Sequence, residues 1–369
     1  MKSALVTVTN DLATDRRVDR TCRALIKAGF EVLLIGRKLP DSLNVHNRLY
    51  KTKRIRLLFN KGFLFYAEFN FRLFFILLFK KADLLYANDL DTLLPNYLVK
   101  RIKGVRLIYD THEYFTGVPE LENRNFVRKV WLAIERYIFP KLNTIITVND
   151  SIAGLYEQEY KKKPVVIRNV PVRRRQETSN LTGLENIGNK KIIIMQGAGF
   201  NIHRGAEEAI EAMQYVHNAV LLIIGGGDVF GRLYELRDRL ALTDKVIIKP
   251  KMPFEELQLY TVNADLGLSL DKDNNINYKY SLPNKIFDYI QAEIPVLVSS
   301  LPELMKLIDK YDIGDCIDNH KPEHIAQKIN EMLADKEKLV VWKKNLKLAA
   351  EELCWENEEQ RLLNILNYS

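Results

Sequence analysis

Lys285 and Asp288 stand three residues apart in the stretch Tyr278-Lys-Tyr-Ser-Leu-Pro-Asn-Lys-Ile-Phe-Asp-Tyr-Ile-Gln-Ala-Glu-Ile-Pro-Val-Leu-Val298, a spacing that puts both on one helix face. Ser281 is the expected N-cap, and Pro283 suits a first turn, where its missing N–H costs nothing. A helix N-terminus offers free N–H groups and a partial positive charge to an anion. A lysine at that end with a carboxylate one turn deeper suits a phosphate followed by a ribose. A surface ion pair would produce the same local pattern. Arg204 adds a second cation at a predicted helix start, where arginine is unfavourable unless an anion is present. Glycines follow two strands, at Gly197-Ala-Gly199 and Gly225-Gly-Gly227, and allow backbone to approach a phosphate closely, although a plain tight turn also uses them.

The elements that must hold these residues form two βα series. In the first, strands are expected at 4–8, 31–35, 83–87, 105–109, 144–148 and 165–167, separated by helices that include 15–28 and 126–139. Polar clusters trail several strands, at the sheet edge where α/β folds build sites. They contain Asp15, Arg16 and Arg17, then Asn88 and Asp89, with Asn88 to Asp91 read as a helix cap, and then Asp110, His112 and Glu113. No GxGxxG fills the first loop, so a polar ligand contact is expected there rather than a pyrophosphate site; a solvated helix start accounts equally well for Arg16 and Arg17. The alternative for His112 is a structural histidine bonded to a neighbouring backbone carbonyl. The second series places strands at 191–195, 220–224, 246–248, 264–269 and 296–298. The reading is α/β: two Rossmann-like, doubly wound parallel-sheet domains facing across a cleft. Domain one is 1–172, a polar linker covers 173–189, domain two is 190–350, and 351–369 is a last helix that could pack back on the first domain.

Composition bounds the partners. The chain has 369 residues, a net charge of +8, and three scattered cysteines that form no metal-ligand cluster and fit a reducing, cytoplasmic compartment. Its first apolar run is too short for a signal peptide and fits a first strand. Residues 1–175 carry 33 Lys and Arg against 17 Asp and Glu, an excess of +16, while the remainder carries 22 against 30, an excess of −8. The basic half calls for an anionic partner. No recognition helix, RNP-type motif or zinc finger is present, so nucleic acid is not expected. Residues 51–81 set Lys51, Lys53, Arg54 and Arg56 before the aromatic run Phe63–Phe79, which Lys80 and Lys81 follow. Charges interrupt the run, which argues against a membrane span. Two readings stay open: an interfacial helix on the inner face of the cytoplasmic membrane, or a core helix on the first sheet that leaves the basic flanks unexplained.

The chain resembles the GT-B glycosyltransferases of family 4, also called group 1, over nearly its whole length. The resemblance is carried by Asp110-Thr-His-Glu113, Arg168-Asn169, Arg204-Gly205, Ile224-Gly-Gly-Gly227, Ala264-Asp-Leu-Gly-Leu268, Ser281 to Tyr289 and Pro295-Val296. It implies retaining, metal-independent transfer of a sugar from a nucleoside diphosphate sugar to an acceptor hydroxyl, with no cofactor beyond that donor. The acceptor would be a glycan or a lipid-linked molecule of capsule, exopolysaccharide or lipopolysaccharide assembly. Arg204 and Lys285 match the diphosphate-binding pair, and His112 matches a histidine beside the transferred sugar, so these three are the expected catalytic residues. Donor contacts are expected from Gly199, Gly225, Gly226, Gly227, Lys251 in the nucleobase turn, Tyr280, Ser281, Leu282, Pro283, Asn284 and Asp288. Acceptor contacts are expected from Asp15, Arg16, Arg17, Asn88, Asp89 and Glu113. Two positions depart from the family: Tyr280 stands where a glutamate is usual, and Gly199 where a basic residue is usual. A sugar-nucleotide 2-epimerase of the same fold, or a non-catalytic sugar-nucleotide-binding partner, are the alternatives. The epimerase would need a carboxylate pair that is not evident in the sequence.

Overall fold

The computed structural model describes residues 1–13, 15–39, 42, 44–45, 48–118, 121, 124–173, 187–197 and 199–367. They form two compact units, Met1–Asn169 with Glu358–Ser369, and Val170–Asn357. Residues 174–186 of the expected linker lie outside the described residues.

The first unit runs β1 (Lys2–Asp11), α1 (Arg16–Lys27), β2 (Phe30–Lys38), β3 (Lys51–Arg56), α2 (Gly62–Phe79), β4 (Leu84–Asn88), α3 (Leu90–Lys103), β5 (Arg106–Thr111), α4 (Asn125–Ile138), β6 (Thr144–Thr147), α5 (Asp150–Tyr160) and β7 (Val165–Val166). Its seven strands lie in the order β3-β2-β1-β4-β5-β6-β7, every pairing parallel. The apolar runs Ala4–Val8 and Leu84–Ala87 are buried because helices cover both faces of a parallel sheet. Asp15 caps α1 by accepting the Val18 N–H at 3.0 Å. Strand β3 was not expected. Its sequence, KTKRIR, lacks an apolar pattern because it is an edge strand whose only fully buried side chain is Ile55. Lysines on an edge also guard against pairing with another sheet. The basic flank read before the aromatic run is therefore partly this strand.

Helix α2 is long and apolar enough to cross a membrane by length and composition. In this fold it buries the stripe Phe65, Phe69, Leu73 and Leu77, one residue per turn. Lys103 fixes its far end by donating to the carbonyls of Leu77 and Lys80.

The second unit runs β8 (Lys191–Gly197), α6 (Ala206–Ala212), β9 (Ala219–Gly225), α7 (Phe230–Arg239), β10 (Val246–Pro250), α8 (Phe254–Val262), β11 (Leu266–Ser269), α9 (Ile276–Lys279), α10 (Asn284–Gln291), β12 (Val296–Ser299), α11 (Pro302–Tyr311), β13 (Gly314–Ile317), α12 (Pro322–Ala334) and α13 (Lys336–Glu352). Its strands lie in the order β10-β9-β8-β11-β12-β13, again parallel. The order reverses between β8 and β11, and a doubly wound sheet places its ligand crevice at the carboxyl ends of the strands at that point. The last helix, α14 (Trp355–Asn367), enters the first unit at Glu358. There Arg106 donates to the carbonyls of Ile365 and Leu366, a cation on a helix C-terminus.

Candidate active site

In the second unit the site grows out of the loops after β8, β9 and β11. Gly205, at φ 77°, lies so close to the loop after β11 that an added Cβ would meet the Leu270 carbonyl oxygen at 2.3 Å. The Lys272 N–H donates to the His203 carbonyl at 2.9 Å and ties the same two loops together. This places Arg204 against the carboxylate of Asp271, with Nη1 to Oδ1 at 3.0 Å. Gly205→Ala should therefore both strain the backbone and push these loops apart, costing about 2–4 kcal/mol, read as a lower urea midpoint with weakened nucleotide binding.

Lys285 reaches the same carboxylate from α10, its Nζ 3.8 Å from Asp271 Oδ2. Asp271 is fully buried, and the Lys285 side chain is only 11 % exposed. Burial lowers the Lys285 pKa from its usual value and the Arg204 charge lowers it further, while Asp271 acts in the opposite sense. Arg204 also lies over the Tyr278 ring at 4.3 Å, and its Nε is buried without a hydrogen-bond partner. Two cations thus share one carboxylate and retain unspent charge and donor capacity, which is the electrostatics of an anion site.

Helix α10 holds Lys285 in place through its buried face, Ile286, Phe287, Tyr289 and Ile290. The Tyr289 hydroxyl bonds to the carbonyls of Ile194 and Leu268 at 3.3 Å each and accepts the Gln196 N–H at 3.2 Å. Asp288 accepts from Gln196 Nε2 at 3.2 Å, and the side-chain Oε1 of Gln196 accepts from the Thr261 hydroxyl at 2.7 Å. The helix start differs from the expectation. Ser281 is not the cap; its hydroxyl donates back to the Tyr278 carbonyl at 2.9 Å. Pro283 is the N-cap, with no side-chain bond, so Asn284 and Lys285 open the helix with their N-terminal donors uncapped by a side chain. The short helix α9 ends at Lys279, two residues before Ser281, and the Ser281 hydroxyl is spent on the end of that helix rather than on the start of α10.

The glycine loop after β9 is built for close approach. A Cβ on Gly225 would meet the Gly197 carbonyl oxygen at 1.8 Å, and one on Gly227, at φ 140°, would meet the Phe200 backbone nitrogen at 2.4 Å. Gly226 and Gly199 have no such contact, so packing does not require glycine at either. Lys251, just beyond β10, and Asn284 are exposed, while Tyr280, Leu282 and Pro283 are half-buried beside the site.

In the first unit the ends of β4 and β5 carry a second cluster. Asp89 accepts the His112 backbone N–H at 2.9 Å and faces the ring Nδ1 at 3.1 Å, so one carboxylate fixes both main chain and side chain. Asp89 adopts φ 61° and ψ 164°, a region that strongly favours glycine. It does not bond to the helix it precedes, as capping would require; His112 takes its carboxylate instead. Asp110 lies 3.7 Å from the other ring nitrogen, Nε2, which has no hydrogen-bond partner. Burial alone would lower the His112 pKa, but Asp89 and Asp110 outweigh it and push it up to about 10. His112 is therefore an imidazolium at neutral pH, a donor rather than a base.

Two expected acceptor contacts are corrected. Arg17 is buried, gripping Asp110 through both Nε (3.3 Å) and Nη2 (2.7 Å) and donating through Nη1 to the Ile167 carbonyl. Asn88 is fully buried and donates to the Thr7 carbonyl. Both support the cluster from within and present nothing to an acceptor. Asp15 is committed to its helix cap, whereas Arg16 and Glu113 are exposed. Burial alone would raise the Asp110 pKa, but Arg17 and then His112 hold it well below the usual carboxylate range. Arg17→Met would leave Asp110 buried without its main partner, at an expected cost of about 3–5 kcal/mol in urea unfolding. The stability that Asp110 contributes is present above its unfolded pKa and is lost as pH falls toward the depressed folded value.

Comparison with known proteins gives the family and the fold. The profile for Glycosyltransferase Family 4 matches residues 14–170, and that for Glycosyl transferases group 1 matches residues 182–348. The chain belongs to glycosyltransferase family 4, group 1. A curated relative of the family-4 chain is the chitobiosyldiphosphodolichol beta-mannosyltransferase of Candida albicans, 25% identical over 258 residues, which span 63% of this chain and 56% of the relative. The match thus spans a little over half the length of that relative. Among solved structures, sucrose-phosphate synthase from Thermosynechococcus elongatus aligns with a TM-score of 0.81 at 16% identity, covering 99% of this chain and 98% of that one. The Anabaena protein Alr3699/HepE, in complex with UDP and glucose, aligns at 0.77 and 14% identity over all of both chains. These likenesses identify the two-sheet fold as GT-B.

The sequence reading missed Asp271, Tyr278, Gln196 and the supporting role of Asp110. Asp271 had a legible signal, since it lies two residues beyond the end of a strand at the site edge.

Proposed function

We propose that the chain is a retaining, metal-independent hexosyltransferase that takes a sugar from a nucleoside diphosphate sugar and delivers it to a hydroxyl of a glycan or lipid-linked acceptor in cell-envelope or exopolysaccharide assembly. The observation that carries the reading is the pair Arg204 and Lys285 on the buried Asp271 carboxylate, beside the N-terminus of α10. A departing diphosphate develops negative charge, and preorganised cations and helix N–H groups stabilise that charge more than they stabilise the ground state. Two side-chain cations there can carry the role that a metal ion plays in other transferases. Arg204 Nε and His112 Nε2 have no hydrogen-bond partner, and the guanidinium and imidazolium that carry them are assigned to the phosphate and to the transferred sugar respectively. Asp288, on the Lys285 face of α10, is assigned to the ribose, and Lys251 to the nucleobase side. The first unit is assigned the acceptor.

Support for a uridine nucleotide comes from the UDP-bound Anabaena neighbour, and support for a mannosyl group from the name of the Candida relative. The test is incubation with a panel of uridine and guanosine diphosphate sugars, with and without chelator, using membrane lipid extract as acceptor. Product should form with one donor, be insensitive to chelator, and keep the donor's anomeric configuration by NMR. Inverted configuration would sink the retaining mechanism, loss of product with chelator would sink metal independence, and a free epimerised sugar nucleotide would replace the reading altogether.

A further inference from the structure

The crossovers β3–α2–β4, β4–α3–β5 and β5–α4–β6 all step the same way along the first sheet, and right-handed connections then place α2, α3 and α4 in one layer on one face. The layer is knit together: Asn70 of α2 donates to the Asp91 carbonyl of α3, the Tyr97 ring of α3 meets Tyr137 of α4 edge-on at 6.2 Å, and Tyr66 of α2 meets Trp131 of α4 at 5.2 Å. Its outer surface is unusual. Helix α2 is predominantly apolar, interrupted only by Glu68, Asn70 and Arg72, and opposite its buried stripe it shows Phe71, Phe75 and Phe79 to solvent, with Phe79 81 % exposed. Ile102 of α3 and Phe126 and Tyr137 of α4 continue the apolar display. Helices of a globular surface normally turn polar residues outward, and exposed aromatic ridges of this extent mark an interaction site.

Charge selects the partner. The three helices carry three acidic residues, and none is available at the surface. Glu68 is taken up by Arg72 and by the backbone N–H groups of Leu58 and Phe59, while Asp91 and Glu135 are buried. Among the described residues, the exposed charges on these helices and directly flanking α2 are basic, among them Lys61, Lys80, Lys81, Arg101, Arg128 and Lys129, while the exposed Asp83 at the foot of β4 accepts the Ser3 N–H. Helices that combine exposed aromatic rings with only basic exposed charge among their own residues match a bilayer bearing anionic headgroups, where apolar insertion and Coulomb attraction act together.

We infer that the outer face of α2, α3 and α4 is a docking surface for an anionic lipid bilayer, with the Phe71–Phe75–Phe79 ridge inserted among the lipids and the lysines at the headgroups. The inference goes beyond the transfer reaction, and its test needs neither donor nor acceptor. The full chain is floated with vesicles of phosphatidylcholine alone and of phosphatidylcholine mixed with phosphatidylglycerol, across a salt series. It should partition onto the anionic vesicles and dissociate as salt screens the lysines. Phe71→Ser/Phe79→Ser and, separately, Lys80→Glu/Lys81→Glu should each weaken partitioning at least tenfold. Their melting temperature and mass by light scattering should be unchanged, because all four side chains are exposed. Absence of vesicle binding, binding unaltered by both double variants, or a wild-type dimer that the phenylalanine variant makes monomeric would overturn the inference, the last by showing that a second copy covers the face.

Discussion

Lys285→Ala is expected to lower kcat/KM by about 10²–10³, the range seen when one preorganised donor to a developing anion is removed. The argument rests on how Lys285 is held. Its ammonium is nearly buried, opposed by Arg204 and only loosely matched by Asp271 at 3.8 Å. That is a poor arrangement for a structural ion pair and a good one for receiving a diphosphate, whose charge exceeds what one carboxylate can supply. Arg204→Ala should act in the same range, and Arg204→Lys should not rescue it, because a lysine reproduces neither the Nη1 bond to Asp271 nor the stacking on Tyr278. Since both cations share Asp271, their effects should not add: the double variant should lose less than the product of the two single losses. The pH dependence has a fixed sign. Diphosphate favours the protonated lysine, so affinity should fall as pH rises through the Lys285 pKa, which burial sets below the ordinary lysine value. Asp271→Asn should move that loss to still lower pH, since the carboxylate is what raises the lysine pKa.

The second large effect is expected at His112. With its ring between Asp89 and Asp110, it should titrate at about 10 by NMR rather than near the free imidazole value. A titration near 6.5 would contradict the clamp. The stability it contributes is present below the unfolded pKa and is lost as pH rises through the folded value. His112→Ala should cost transfer about 10²-fold, as expected for losing a preorganised cationic donor. Asp89→Asn, which keeps an acceptor for the His112 backbone N–H but removes the charge, should lower the His112 pKa and introduce a basic limb into the kcat profile. Asp89→Gly separates clamp from strain. Glycine relaxes the φ 61° backbone, which costs about 1–3 kcal/mol for a residue with a side chain. That variant should therefore keep its stability better than Asp89→Asn while losing activity.

Much of the fold was legible because parallel strands covered on both sides write themselves as short apolar runs, as at Ala4–Val8 and Val220–Ile224. Strand β3 was not, because an edge strand need bury only one residue. At the site, Arg204, Lys285 and His112 could be picked out by residue type at strand ends and helix starts. Arg17 could not be judged. A buried guanidinium that serves Asp110 93 positions away reads, in sequence, like any charged helix start. Asn88 misled for the same reason, its amide being spent on a carbonyl 81 residues earlier in the chain. Asp271 gains its role only when two loops meet at Gly205, a contact that no local pattern announces. The helix start at Ser281 failed because a good capping residue need not cap when another short helix ends beside it.

The central claim, that Arg204 and Lys285 form a diphosphate site on Asp271, is tested most directly by calorimetric titration of UDP into the wild-type chain and into Arg204→Ala and Lys285→Ala. The account predicts saturable binding to the wild type, weakened at least tenfold, about 1.4 kcal/mol, in each variant. Equal affinity in all three proteins would contradict it.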